Sequence, residues 1–250
     1  MLNVPAYLRR INYAGPTAPT PETLREIHRA HLLSVPFENL DIHLGRTIVC
    51  DGDGFLHKIV NERRGGFCYE LNGAFAALLR ALGFQVTMLS ARAALPDGGD
   101  GPEFDHLTLL VDLDEPWLVD VGFGDSFLEP LRMRATVEQS QIGRVYRLTE
   151  VGGVFVLEVI ADDKWRREYS FTLRPRQLSE FAAMCHYHQT SPKSHFTRKR
   201  ICSRPTPEGR ITLSDKTLIE THNGVRRERV LSGEEEWRVK LHELFGVTLP

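Results

Sequence analysis

The sequence predicts an α+β multidomain chain, helical up to about Gly83, built of short strands from Phe84 to about Pro175, and mixed beyond that point. Three observations carry this reading. Apolar residues recur at helical spacing before Gly83, the pattern changes to two-residue alternation at Phe84, and the alternating runs that follow are separated by turn clusters. The corresponding boundaries are 1–83, 84–175 and 176–250, and 250 residues are enough for such a division.

The first part opens its clearest early helix at Thr20-Pro21-Glu22, where a capping hydroxyl, a first-turn proline and an acid coincide. Leu24, Ile27 and His31 continue one face, and the helix ends near Ser34. Val35-Pro36-Phe37-Glu38-Asn39-Leu40 follows as an extended turn, because a residue before proline is pushed out of the helical region. Phe55, Ile59 and Val60 suggest a short helix after the Gly52–Gly54 turn.

The stretch that organises the chain is Arg63-Arg64-Gly65-Gly66-Phe67-Cys68-Tyr69-Glu70-Leu71-Asn72-Gly73, a glycine turn that delivers one cysteine to the first turn of a helix. Leu71, Phe75, Leu78, Leu79 and Leu82 make one stripe of that helix, and Gly83 closes it. The glycines are expected to adopt unusual backbone angles and to leave open space before the sulfur. Free N–H groups at a helix start lower a thiol pKa, so Cys68 is suited to nucleophilic attack.

The second part alternates through Phe84 to Arg92, Trp117 to Val121, Val145 to Leu148, Val154 to Ile160 and Trp165 to Leu173, which fits a small antiparallel barrel or sandwich. The Pro96–Pro102 loop just before His106 is a candidate cleft rim. The third part offers a helix around Leu178 to Met184, a polar loop Ser191-Pro192-Lys193-Ser194-His195-Phe196, strands near Ile211 and Thr217 to Glu220, and a last helix. That helix starts at Ser232 with Glu235 three residues on, carries Trp237, Leu241 and Leu244, and stops at Gly246.

A net charge of -2 and pI near 6.6 argue against a nucleic-acid surface or polybasic membrane anchor. The first residues from Met1 lack the order of a signal peptide, and no apolar run reaches membrane-span length, so a cytoplasmic chain is expected. Cys50, Cys68, Cys185 and Cys202 are too few and too scattered for a disulfide framework.

A cysteine nucleophile needs a base, and the base needs an acceptor that fixes it. His106 and Asp120 stand in one hairpin. If Asp112 to Asp114 form a three-residue loop, Val111 faces Glu115 and His106 comes opposite Asp120, within reach of a hydrogen bond.

Five motifs together resemble the arylamine N-acetyltransferases: the Cys68 stretch, His106 before its apolar run, Val119-Asp120-Val121-Gly122-Phe123-Gly124, Val35 to Leu40, and Ser191 to Phe196. The resemblance spans almost the whole chain and is similar to bacterial members at the short C-terminal end. It implies a helical bundle holding the cysteine, a β-barrel supplying histidine and aspartate, and a final α/β lid. It also implies acetyl-coenzyme A as donor, an aromatic amine or hydrazine as acceptor, and a Cys-His-Asp triad of Cys68, His106 and Asp120, with ping-pong kinetics. Met184 to Thr190 departs from the family pattern, since an asparagine is usual in place of Cys185 or His186.

Phe37, Phe104 and Phe123 are candidates for an apolar wall, Gly122 and Gly124 for room beside the pantetheine arm, and Arg198-Lys199-Arg200 or Arg226-Arg227 for coenzyme phosphates. Two readings compete. A transglutaminase-like cysteine hydrolase or an amide synthase could use the same triad. A metal-binding protein could use Cys185, His186, His188, His195 and Cys202, although these lack the paired spacing of structural zinc sites, and no metal is expected.

Overall fold

The computed structural model describes residues 2–141, 143–161 and 163–249; Met1 and Pro250, the outer ends of the expected first and last parts, lie outside them. Helix α1 (Val4–Arg10) went unread in the sequence, because its start is a lone Asn3 whose side chain caps Ala6 N. Helix α2 (Pro21–Ser34) starts as expected, with Thr20 Oγ1 accepting from Thr23 N, and it buries Leu24, Ile27, His28 and His31. After strand β1 (Phe37–Glu38) come two short helices, α3 (Leu40–His43) and α4 (Gly52–Leu56), the latter running into a π-turn at His57–Asn61.

Helix α5 (Cys68–Ala81) is the pivot of the fold. Every residue from Cys68 to Ala76 is buried, so the expected stripe is in fact a nearly all-round contact. Its end is a Schellman motif, with Gly83 N donating to Arg80 O and Phe84 N to Leu79 O, and Gly83 at φ +92°.

The strands β2 (Gln85–Ala93), β3 (His106–Asp112), β4 (Pro116–Val119), β5 (Leu131–Arg132), β6 (Gln139–Gln141), β7 (Arg144–Val151), β8 (Val154–Ala161) and β9 (Lys164–Arg176) form one antiparallel sheet. Its order among the described residues is β5-β4-β3-β2-β9-β8-β7-β6. Two glutamines almost close it into a barrel. Gln139 bonds both the N and O of Arg132, and Gln141 accepts from Leu128 N and Glu129 N.

Alternation sorts the side chains. Leu107, Leu109, Val111, Trp117 and Val119 pack with α5 and its neighbours, while Leu118, Leu131, Tyr146, Leu148 and Tyr169 fill the barrel. The hairpin register differs from the expected one. Asp112 pairs with Pro116 and Val111 with Trp117, so the loop is 113–115. The pairing moves by two residues, and an even shift leaves His106 and Asp120 on one face.

Helix α6 (Ala182–Thr190), after a 3-10 turn at Leu178–Phe181, and α7 (His195–Arg198) lead into a second antiparallel sheet. It is ordered β1-β10-β11-β12-β13, with β10 (Ile201–Thr206), β11 (Gly209–Ser214), β12 (Thr217–His222) and β13 (Val225–Val230). The stretch read as an extended turn is thus an edge strand, Phe37 pairing with Ser203. Helix α8 (Glu234–Phe245) packs Trp237, Leu241 and Phe245 against Cys202, Leu213 and Leu218. Ser232 does not pair with Glu235: both its N–H and its hydroxyl donate to Glu236.

Candidate active site

The turn before Cys68 works by close approach rather than by unusual angles. A Cβ on Gly65 would stand 1.9 Å from Pro36 O, and one on Gly66 2.6 Å from Glu70 Cβ. Neither has positive φ; the left-handed residue is Arg63, at φ +54°. The missing side chains therefore dock the Pro36–Glu38 segment and Glu70 on the turn, and do not clear space before the sulfur.

Behind the turn lies a buried charge cluster that the sequence reading missed. Arg64 bonds Glu38 at 2.7 Å and Asp41 at 3.1 Å, and Lys58 bonds Asp41 and Glu70, each at 2.7 Å. Glu70 Oε2 also accepts from Phe67 N, which ties the cluster to the first turn of α5. Burial, with Glu38 nearby and Lys58 opposing, pushes Glu70 up to about 7. Three carboxylates against two cations give the same direction, because one proton balances the set.

His106 Nε2 lies 2.6 Å from Asp120 Oδ2, both groups buried. The other carboxylate oxygen accepts from Asn72 Nδ2 and from Gly122 N, each at 2.9 Å. Burial opposes charge at Asp120, but His106, Asn72 and Gly122 together hold its carboxyl below the ordinary range. Asn72 does more: its Nδ2 donates to Leu107 O and its Oδ1 accepts from Val121 N. From α2, His28 places Nδ1 at 2.9 Å from Leu128 O and accepts Asp120 N at Nε2, 3.3 Å away. Burial pushes His28 down to about 4, so the ring is neutral.

Cys68 corrects one expectation. Burial pushes its thiol well above the ordinary value, and Asp105 and Asp120 act in the same direction. Hydrogen bonds from backbone at Leu107 and Tyr69 act the other way, as a helix start should, and lose to burial. Burial thus favours the thiol, and attack through sulfur requires its proton to move.

Cys68 and His106 open on one cleft of about 750 Å³. Phe37, Phe123, Gly122 and Gly124 line it with them. With Nε2 committed to Asp120, His106 has Nδ1 left to exchange a proton. A buried cysteine, an imidazole fixed by a carboxylate, and room for a substrate suit acyl transfer through sulfur.

A family model described as N-acetyltransferase matches residues 20–250. The chain is 35% identical over 276 residues to the arylamine N-acetyltransferase pineal gland isozyme NAT-3 of Gallus gallus, covering 99% of this chain and 95% of that protein. Among solved structures it resembles the arylamine N-acetyltransferase of Salmonella typhimurium, with TM-score 0.92, 34% identity, 98% of this chain and 90% of the other. The chain belongs to the arylamine N-acetyltransferase family. The Mycobacterium marinum arylamine N-acetyltransferase, solved in complex with CoA, matches with TM-score 0.90 and 31% identity over 98% of this chain and 93% of that one. Like its relatives in the arylamine N-acetyltransferase family, the chain is an acyltransferase.

Other sequence-singled residues fall differently. Phe104 is not in the cleft lining: at φ +66° it packs edge-on to Phe181 under the Arg176 guanidinium. Gly122 gives no open room, since a Cβ there would stand 2.8 Å from Cys68 Cα; Gly124, at φ +94°, faces the Phe37 ring. The loop before His106 folds back on β9 through Asp100 and Arg167. Of the basic runs, Arg226 lines the cleft, whereas Arg200 is engaged by Glu234 and Trp237. Among the described residues no three His, Cys, Asp or Glu side chains are grouped to hold a metal ion, and Cys202 sits in a different core from Cys185. No described helix is long and apolar enough to cross a membrane.

Asn72 and His28, which hold Asp120 and its strand in place, were missed. Asn72 sits one turn after Cys68, so an amide at i+4 on a buried helix was its available signal. His28 gave none, because its partners lie 92 and 100 positions away.

Proposed function

We propose that this chain moves an acetyl group from acetyl-coenzyme A, through a thioester on Cys68, to the nitrogen of an arylamine or arylhydrazine. The observation that carries the reading is the shared cleft of Cys68 and the Asp120-bound His106. Residues 1–83 would hold the nucleophile, 84–175 the base and its carboxylate, and 176–250 the far wall of the cleft. Four free thiols suit a cytoplasmic setting.

His106 takes the Cys68 proton as the sulfur attacks the thioester carbonyl carbon, and Asp120 stabilises the imidazolium. The Leu107 and Tyr69 backbone groups that reach the sulfur favour its anionic form meanwhile. The carbonyl re-forms, the coenzyme sulfur leaves with the proton from His106, and acetyl-Cys68 remains. An acceptor nitrogen then attacks that thioester, His106 receives its proton, and the Cys68 sulfur is released and reprotonated. Aromatic amines fit because they are uncharged at neutral pH. Phe37, Phe123 and Gly124 form the wall against which the ring rests.

Initial rates with both substrates varied test the order of steps. Parallel double-reciprocal lines, with labelled coenzyme A exchanging into acetyl-coenzyme A in the absence of acceptor, are expected. Intersecting lines without exchange would refute a covalent intermediate.

A further inference from the structure

The cleft holds a second imidazole–carboxylate pair that the transfer chemistry leaves unused. His188 of α6 is only 4% exposed and lines the cleft with Asp105 and His195. Its Nδ1 lies 3.3 Å from Ser194 Oγ, and its Nε2 lies 3.2 Å from Asp105 Oδ1. The second approach lacks the alignment of a hydrogen bond, which leaves Nε2 a buried polar atom without a proper partner. The ring is fixed by edge-on contact with Phe196 at 5.2 Å and by Tyr69 at 6.1 Å. Asp105 is anchored as well, since the Tyr69 hydroxyl donates to its carbonyl. The pair lines the same cleft as Cys68.

An unsatisfied buried polar atom is costly, and in the wall of a cleft a ligand can supply the missing bond. Cys68, Asp105 and His188 line one cleft, so a ring brought to the acetylated sulfur shares that space with both side chains.

We propose that His188 and Asp105 form a polar subsite of the acceptor site, selecting rings that carry a neutral hydroxyl or amino substituent over rings that carry a carboxylate. The inference rests on the acetyl-transfer reading above. A hydroxyl donates to Asp105 and accepts from the His188 N–H, completing both groups. A carboxylate meets a like charge instead. Of the arginines in the cleft lining, Arg144 and Arg210 are drawn to Asp125 and Arg226 to Glu228, away from the Asp105 and His188 pair. Burial also favours the neutral form of the neighbouring His195.

The test is competition in one vessel among meta-aminophenol, meta-toluidine and meta-aminobenzoate, with wild type, His188→Leu and Asp105→Asn. Product ratios give relative kcat/KM without reference to the fraction of active enzyme, and the intrinsic reactivity of each amine is common to all three proteins. His188→Leu should cut the aminophenol-to-toluidine ratio about tenfold, and Asp105→Asn should raise the aminobenzoate-to-aminophenol ratio about tenfold. Wild-type ratios in both variants would overturn the subsite. Failure of the wild type to acetylate any of the amines would instead remove the transferase reading beneath it.

Discussion

Gly122→Ala tests how tightly the cysteine and the aspartate strand are packed together. The added Cβ would stand 2.8 Å from Cys68 Cα, 3.0 Å from Cys68 O and 2.7 Å from Asn72 Nδ2, where ordinary contact begins near 3.4 Å. The first turn of α5 or the strand end must therefore give way by about 0.6 Å, and backbone on both sides resists. Overpacking of this kind costs about 1–3 kcal/mol. Because the same displacement moves Cys68 relative to His106, the transfer rate should fall about 10²-fold. Gly124→Ala is the control, since its Cβ meets nothing closer than Phe37 at 3.8 Å and pays only for positive φ. Urea denaturation gives the first quantity, and single-turnover acetylation gives the second. Wild-type stability and acetylation rate in Gly122→Ala would refute the close-packing argument.

Asn72→Ala removes three buried hydrogen bonds that hold Asp120, Leu107 and Val121, and should lower stability by about 2–4 kcal/mol; an unchanged urea midpoint would contradict it. His28→Leu leaves Leu128 O and Asp120 N unsatisfied, at a cost of about 3 kcal/mol near neutral pH. Because the folded pKa of His28 is depressed to about 4, wild-type stability from this site is present above about 6.5 and lost as pH falls toward 4. The deficit of His28→Leu should therefore shrink on acidification, and a deficit independent of pH would refute a buried neutral ring. Glu70 has the opposite slope: its folded pKa is raised to about 7, so wild-type stability falls as pH rises from about 4.5 to 7. Glu70→Gln should gain on wild type by up to roughly 3 kcal/mol across that window, measured by denaturation at pH 5, 6 and 7, and a flat difference would sink the assignment.

The elements that the sequence made legible are those with local signals. Thr20-Pro21 and the Schellman glycine at 83 are fixed by residues three or four positions away, and both lie where expected. The alternating runs of the barrel were readable because one face is buried against α5 and the other fills the barrel. Strand β13 was not, since Val225 to Val230 is exposed throughout and its charges guard an edge rather than mark a strand. The two-residue strand β1 depends on partners at Cys202 and Ser203, which no local pattern announces. In the site, the proximity of His106 and Asp120 was inferred through a wrong register whose error was even, so the faces came out right. Phe104 and the Cys68 thiol went astray for one reason. Burial and a left-handed backbone are tertiary outcomes that overrode the chemistry of the isolated motif.

The most direct test of the account is the intact mass of the protein after brief exposure to acetyl-coenzyme A without acceptor, set beside Cys68→Ala. The account predicts a gain of one acetyl group on the wild type, none on the variant, and its loss when an arylamine is added. A wild type that gains no acetyl group, or a Cys68→Ala variant that gains one dischargeable by amine, would contradict covalent transfer through Cys68.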